Sequence, residues 1–179
     1  MKTILSILIL VLLTSFSSAT SKNKVLPRKP YNTLNSDPGF ISTNELILGF
    51  GLGDTRPDYS KSFFGFTTTN GYLINKNFTI GGGTGFLAYN GGTLIPLFLD
   101  IRYKMNIDPV TPYFFGDGGF LISPTDFSGG TRMFINFGGG AQYAFSSNLA
   151  ANLGVGLFFQ SIVTRDTFVN IKAGVTYKF

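Results

Sequence analysis

The sequence predicts an all-β chain folded as an eight-stranded antiparallel up-and-down transmembrane β-barrel, and three observations carry that expectation. Apolar residues recur at every second position through eight segments of roughly ten to fourteen residues, the length of a tilted membrane-crossing strand. Charged residues are only 13% of the 179, about half the share usual in a soluble protein. Gly (23) and Phe (20) are over-used, and the chain closes on a strictly alternating strand in which Val169, Ile171, Ala173, Val175, Tyr177 and Phe179 share one face.

The elements follow in order. Residues 1–19 read as a secretory signal: Lys2, an apolar run from Ile4 to Leu13, then Ser17-Ser18-Ala19, with cleavage expected after Ala19. Ten apolar residues fall short of the roughly 20 that span a bilayer as a helix, so a transmembrane helix is the weaker reading. Residues 20–41 are polar and broken by Pro27, Pro30 and Pro38, with Lys22, Lys24, Arg28 and Lys29 clustered among them. They read as an extended, solvated tail. Residues 42–179 read as the barrel, with strands expected at about 42–53, 62–74, 78–90, 94–105, 112–122, 132–145, 149–160 and 167–179. Tight turns are expected at Asn75-Lys76-Asn77 and Ser146-Ser147-Asn148, and a Pro turn at Asn106–Thr111.

Side-chain volume predicts which face is inside. Leu46, Leu48, Phe50 and Leu52, then Ile95, Leu97, Leu99, Ile101 and Tyr103, then Met133, Ile135 and Phe137, then Leu149, Leu153, Val155, Leu157 and Phe159 are too many large residues for the narrow interior of eight strands. They are expected outside. The opposite parity carries Gly49, Gly83, Gly138, Gly140, Gly154 and Gly156 with Asn136, Gln142, Asn152 and Asn170. There the glycines make room for rings expected on the same side, namely Phe64, Phe66, Phe98, Phe115, Phe134 and Phe158. On this reading the outward face of the second segment is Gly65, Thr67, Thr69 and Gly71, and that of the fifth includes Gly116 and Gly118. Tyr103, Tyr143, Phe145, Tyr177 and Phe179, with Phe78 and Phe114, are expected to form an aromatic girdle at the lower rim.

Little in the chain points to catalysis. With no His and no Cys it lacks the commonest general base, thiolate metal ligands, disulfides and a lipid-anchored N-terminal Cys. Gly81-x-Gly83 and Gly154-x-Gly156 lack the third glycine and the following helix of a nucleotide loop, so no cofactor site is expected. No acidic cluster has calcium-loop spacing, and no metal site is expected. The formal net charge of +5 is scattered rather than striped, which does not support a nucleic-acid partner. Asp100 and Asp117 offer an acid and base pair as the weaker reading, and a lumenal charge network of Glu45, Asp100, Arg102, Asp117 and Lys172 is the favoured one, because buried charges need partners.

Two sets of residues carry a family resemblance. Lys172-x-Gly174-x-x-Tyr177-x-Phe179 resembles the terminal signal by which bacterial outer-membrane barrels are recognised by their assembly machinery. Asn70-Gly71-Tyr72, Phe78 through Phe86 and Ile95 through Tyr103 are similar to small outer-membrane β-barrel families often labelled porin-like. The resemblance spans 42–179 and implies Sec-dependent export to the outer membrane of a Gram-negative bacterium, with the N-terminal tail in the periplasm. It also implies partners: outer-membrane lipid, the barrel assembly machinery during biogenesis, and another membrane protein as a further candidate. Enzymes among such barrels rely on a catalytic His that this chain lacks, so the expected role is a non-enzymatic, filled barrel with a structural or interaction function. The alternatives are a narrow small-solute channel and an accessory subunit of a larger outer-membrane complex.

Overall fold

The computed structural model describes residues 33–52, 61–105, 110–124, 130–161 and 165–179. The signal expected at 1–19 and most of the tail expected at 20–41 lie outside the described residues. The described residues form eight strands: β1 (Gly39–Gly51), β2 (Ser62–Asn75), β3 (Phe78–Tyr89), β4 (Gly92–Lys104), β5 (Val110–Ile122), β6 (Arg132–Ala144), β7 (Leu149–Ser161) and β8 (Arg165–Lys178). Each pairs antiparallel with its neighbour in sequence, and β1 pairs with β8 to close the barrel. Closure leaves no open strand edge.

Local chemistry sets the joints. The Asn75 side-chain carbonyl accepts from the backbone N–H of Asn77 (2.9 Å) and Phe78 (3.0 Å), which fixes the tight β2–β3 turn. Ser146 does the same before β7, accepting from Leu149 N–H at 3.1 Å. Between β3 and β4 the chain reverses over Asn90-Gly91, and Gly92 takes φ of 143°, a conformation open to glycine. β1 begins at Gly39, ahead of the expected 42, because Phe40 and Ile41 continue the ladder opposite Tyr72 and Gly71. Just before it, Asn35 donates to Ser147 O and Lys178 donates to Asp37 O, so residues 35–37 are held to the rim bearing the short turns. That rim is called lower below.

Every strand presents large apolar side chains outward, with Leu46, Leu48, Phe64, Ile80, Leu97, Leu99, Phe114, Ile135, Leu153, Val155 and Val175 all exposed. A wall of this extent suits hydrocarbon rather than water. The expected lower girdle is present: Phe78 pairs with Tyr103 and Tyr103 with Phe114 across three strands, and Tyr143–Phe145 and Tyr177–Phe179 meet edge to face at 5.4 and 5.0 Å. Phe40 and Tyr72, 5.2 Å apart, complete it on β1 and β2.

One strand faces the opposite way from expectation. On β2, Phe63, Gly65, Thr67, Thr69 and Leu73 point inward, whereas Phe64, Asn70 and Tyr72 are exposed and Phe66 and Thr68 are half-buried. The cause is register. Glu45 is inward on β1 and its partner on β2 is Thr67, so Thr67 must share that side, and a period of two carries the rest of the strand with it. Phe64 and Phe66 instead lie 6.3 and 6.5 Å from Phe86 on the outer wall. Gly116 and Gly118 on β5 do face outward.

Candidate functional site

The interior is divided into two layers along the barrel axis. In the upper half every strand contributes at least one buried apolar side chain: Ile47, Phe63, Leu87, Leu94 and Phe98, Leu121, Phe134, Phe158 and Phe168, in order from β1 to β8. Phe134 stacks on Phe158 at 5.1 Å, and Phe63 lies 5.3 Å from both Phe158 and Phe168. Glycines on neighbouring strands make this possible. A Cβ at Gly49 would enter the Phe63 ring, and one at Gly83 would enter the Phe98 ring. Tyr89 adds its hydroxyl to this layer, donating to Gln160 Oε1 at 3.1 Å.

The lower layer is charged. Arg102 on β4 reaches across the lumen to Glu45 on β1 with two parallel hydrogen bonds, Nη1 to Oε1 at 2.8 Å and Nη2 to Oε2 at 2.9 Å. Its Nε donates to both oxygens of Asp100 at 3.1 Å. Lys172 on β8 donates to Asp117 Oδ2 at 2.5 Å and lies 3.8 Å from Glu45 Oε2. The structure therefore brings all five residues expected in the lumenal network into one cluster. Asn136 donates to the same Asp117 oxygen and receives a bond from Asn170. Lys172 also sits 4.3 Å over the Phe115 ring. With three carboxylates against Arg102 and Lys172, the cluster approaches neutrality through Lys104, buried on the same face of β4 two residues further down.

Beside this cluster runs an uncharged chain that was not expected from the sequence. Gln142 donates to Asn152, Asn152 donates to Thr176, and Thr176 meets Thr43 at 2.9 Å. The signal was available, because Asn152 and Gln142 were already on the inward parity and pair directly across β6 and β7. Of the terminal motif, Lys172 is in the network, Gly174 lets Glu45 and the β1 backbone approach closely, and Tyr177 and Phe179 face outward in the lower girdle.

Chemically the arrangement fills the lumen with paired charges and rings. Asp100 and Asp117 are direct cross-strand partners, but each carboxylate is committed to a cation, so neither presents a free acid or base. A hydrophobic layer thus lies above an ion-pair layer in which every carboxylate has a cationic partner, although Asp117 Oδ1 accepts no hydrogen bond among the described residues.

No protein-family model matches the chain, and no curated protein matches it. Solved structures do. The crystal structure of Neisserial surface protein A (NspA) is similar with a TM-score of 0.60 and 18% identity, over 80% of this chain and 99% of that one. A de novo designed transmembrane β-barrel gives a TM-score of 0.49 and 17% identity, over 82% and 100%. The N-terminal β-barrel domain of Pseudomonas aeruginosa OprF gives 0.48 and 16%, over 80% and 100%. The likeness to NspA is one of fold.

Proposed function

We propose that the chain is a non-enzymatic integral barrel of the bacterial outer membrane whose lumen is closed and whose role is structural or interactive. The observation that carries this is the two-layer interior, with nine apolar side chains from all eight strands stacked above the Arg102, Glu45, Asp100, Lys172 and Asp117 cluster. Membrane placement is supported by the apolar outward wall, the aromatic girdle and a fold like that of NspA. On this reading the signal directs Sec export, the terminal Lys172, Gly174, Tyr177 and Phe179 serve recognition by the assembly machinery, and the basic tail ahead of β1 lies in the periplasm. A narrow solute channel is the competing reading. Purified protein in planar bilayers separates them: no reproducible conductance steps are expected, and steps that scale with the amount of protein would sink the closed barrel in favour of the channel.

A further inference from the structure

The outward wall is not uniform. Where the outward walls of β6, β7 and β8 present Ile135, Leu153 and Ile171, the wall of β2 and β3 presents Thr68, Asn70, Gly82 and Thr84. Asn70 pairs with Gly82 and Thr68 with Thr84 in the ladder, so the four form one square patch. Asn70 lies two residues up the strand from Tyr72 of the lower girdle and Thr84 lies six up from Phe78, which places the square inside the apolar band. Among the described residues none of these three polar side chains makes a hydrogen bond within the chain. In hydrocarbon such groups look for partners.

The square also borders a hollow of about 550 Å³ on the outer wall, lined by it and by Leu97, Leu99 and Gly118. The barrel's own packing does not demand the glycines there. A Cβ at Gly82 would meet only Phe98 O, at 3.8 Å, and one at Gly118 only Phe134 O, at 4.0 Å. At inward Gly81 and Gly85 a Cβ would run into the β2 backbone. Glycine at an outward position weakens a strand and covers nothing, so its use at Gly82 points to something packed against it.

We infer that this patch is the contact face of a homodimer in the membrane, related by a two-fold axis along the membrane normal that passes between β2 and β3. That rotation sets β2 of each copy against β3 of the other. It brings the Asn70 amide of each into the Gly82 hollow of its mate, and Thr68 opposite Thr84. Amide and hydroxyl groups both donate and accept, so the face complements itself without any charge. Lipid chains could fill the hollow but could not pair the amide. The inference rests on the membrane placement proposed above and is independent of the closed lumen.

Because the chain has no Cys, single cysteines report contacts unambiguously. Full-length Thr84→Cys and, on the far wall, Leu153→Cys are reconstituted in liposomes at high lipid-to-protein ratio and treated with a short bis-maleimide. Folding is checked by the shift in gel mobility between boiled and unboiled samples, which tests the barrel and its membrane placement whatever the cross-linking shows. Thr84→Cys is expected to give a covalent dimer at least fivefold above Leu153→Cys. Adding Gly82→Leu or, as a second route, Asn70→Leu should bring the yield down to the control. Equal yields at the two cysteines would overturn the inference, as would wild-type protein that stays monomeric in mild detergent. Capture of a different membrane protein instead of a second copy in native membranes would overturn it too.

Discussion

Arg102 on β4 grips Glu45 on β1 across the full width of the lumen, with both guanidinium Nη atoms matched to both carboxylate oxygens at 2.8 and 2.9 Å. These strands are not neighbours in the sheet, so the pair ties opposite walls together where no backbone ladder does. Arg102→Ala removes the fork and leaves Glu45 and Asp100 buried without their guanidinium partner. The expected cost is about 3–5 kcal/mol, the range for breaking a buried pair by deleting one partner. Unfolding midpoints in detergent check it, and an unchanged curve would show that the cluster is not structural.

Gly49 and Phe63 make a second paired relationship, the ring occupying the space where a Cβ would stand. Gly49→Ala is expected to destabilise by about 1–3 kcal/mol through overpacking. Combining it with Phe63→Leu should recover part of that loss, a non-additivity of the kind found between touching residues. Gly116 is the control. A Cβ there meets nothing within 4 Å, so Gly116→Ala should leave the unfolding midpoint in place. If Gly49→Ala were as mild as Gly116→Ala, the ring-over-glycine packing would be wrong.

The two lumenal layers make a prediction about closure. Phe134→Ala removes the ring stacked on Phe158 and adjacent to Phe98, at a cost of about 3–5 kcal/mol. Alone it leaves the ion-pair layer shut, and Arg102→Ala alone leaves the apolar layer shut. Neither single variant is expected to conduct in planar bilayers, whereas the double variant is. Conductance from either single variant would mean that one layer carries the whole seal.

Much of this was legible in the sequence for a physical reason: strands that face lipid on one side and a narrow lumen on the other must alternate sharply, and residue volume then tells the sides apart. That worked wherever one parity was plainly bulkier, as in Leu97, Leu99 and Ile101 against Asp100 and Arg102. It failed on β2, where Phe63 and Phe64 put a ring on each parity and Phe64 and Phe66 were expected inside, which left Gly65 and Gly71 on the outer face against the pattern of the other strands. The deciding fact, that Thr67 stands opposite Glu45, is one of pairing between strands and not of either strand alone. Strand parity put five charges in the lumen, where they need partners, but did not show that Arg102 would choose Glu45 across it. The polar square of Thr68, Asn70, Gly82 and Thr84 was hidden by the same reversal, since half of it lies on β2.

Phe179 sits past the end of β8 and is 74% exposed. Its N–H donates to Phe40 O at 3.0 Å and its ring meets Tyr177 edge to face at 5.0 Å. Deleting it removes one terminal hydrogen bond and one surface ring contact while the β1–β8 ladder from Ile41 to Gly51 is untouched, so the inserted barrel should lose only about 1 kcal/mol. On the function proposed above, recognition by the assembly machinery is a different demand, one that would read the terminal aromatic before any ladder exists. The truncated chain is therefore expected to refold in detergent with a nearly unchanged unfolding midpoint, yet to reach the membrane of cells at a several-fold lower yield. Measuring both on the same variant separates the roles. Equal membrane yield would make Phe179 a girdle residue and nothing more, whereas a collapsed midpoint in vitro would make it part of the barrel's closure.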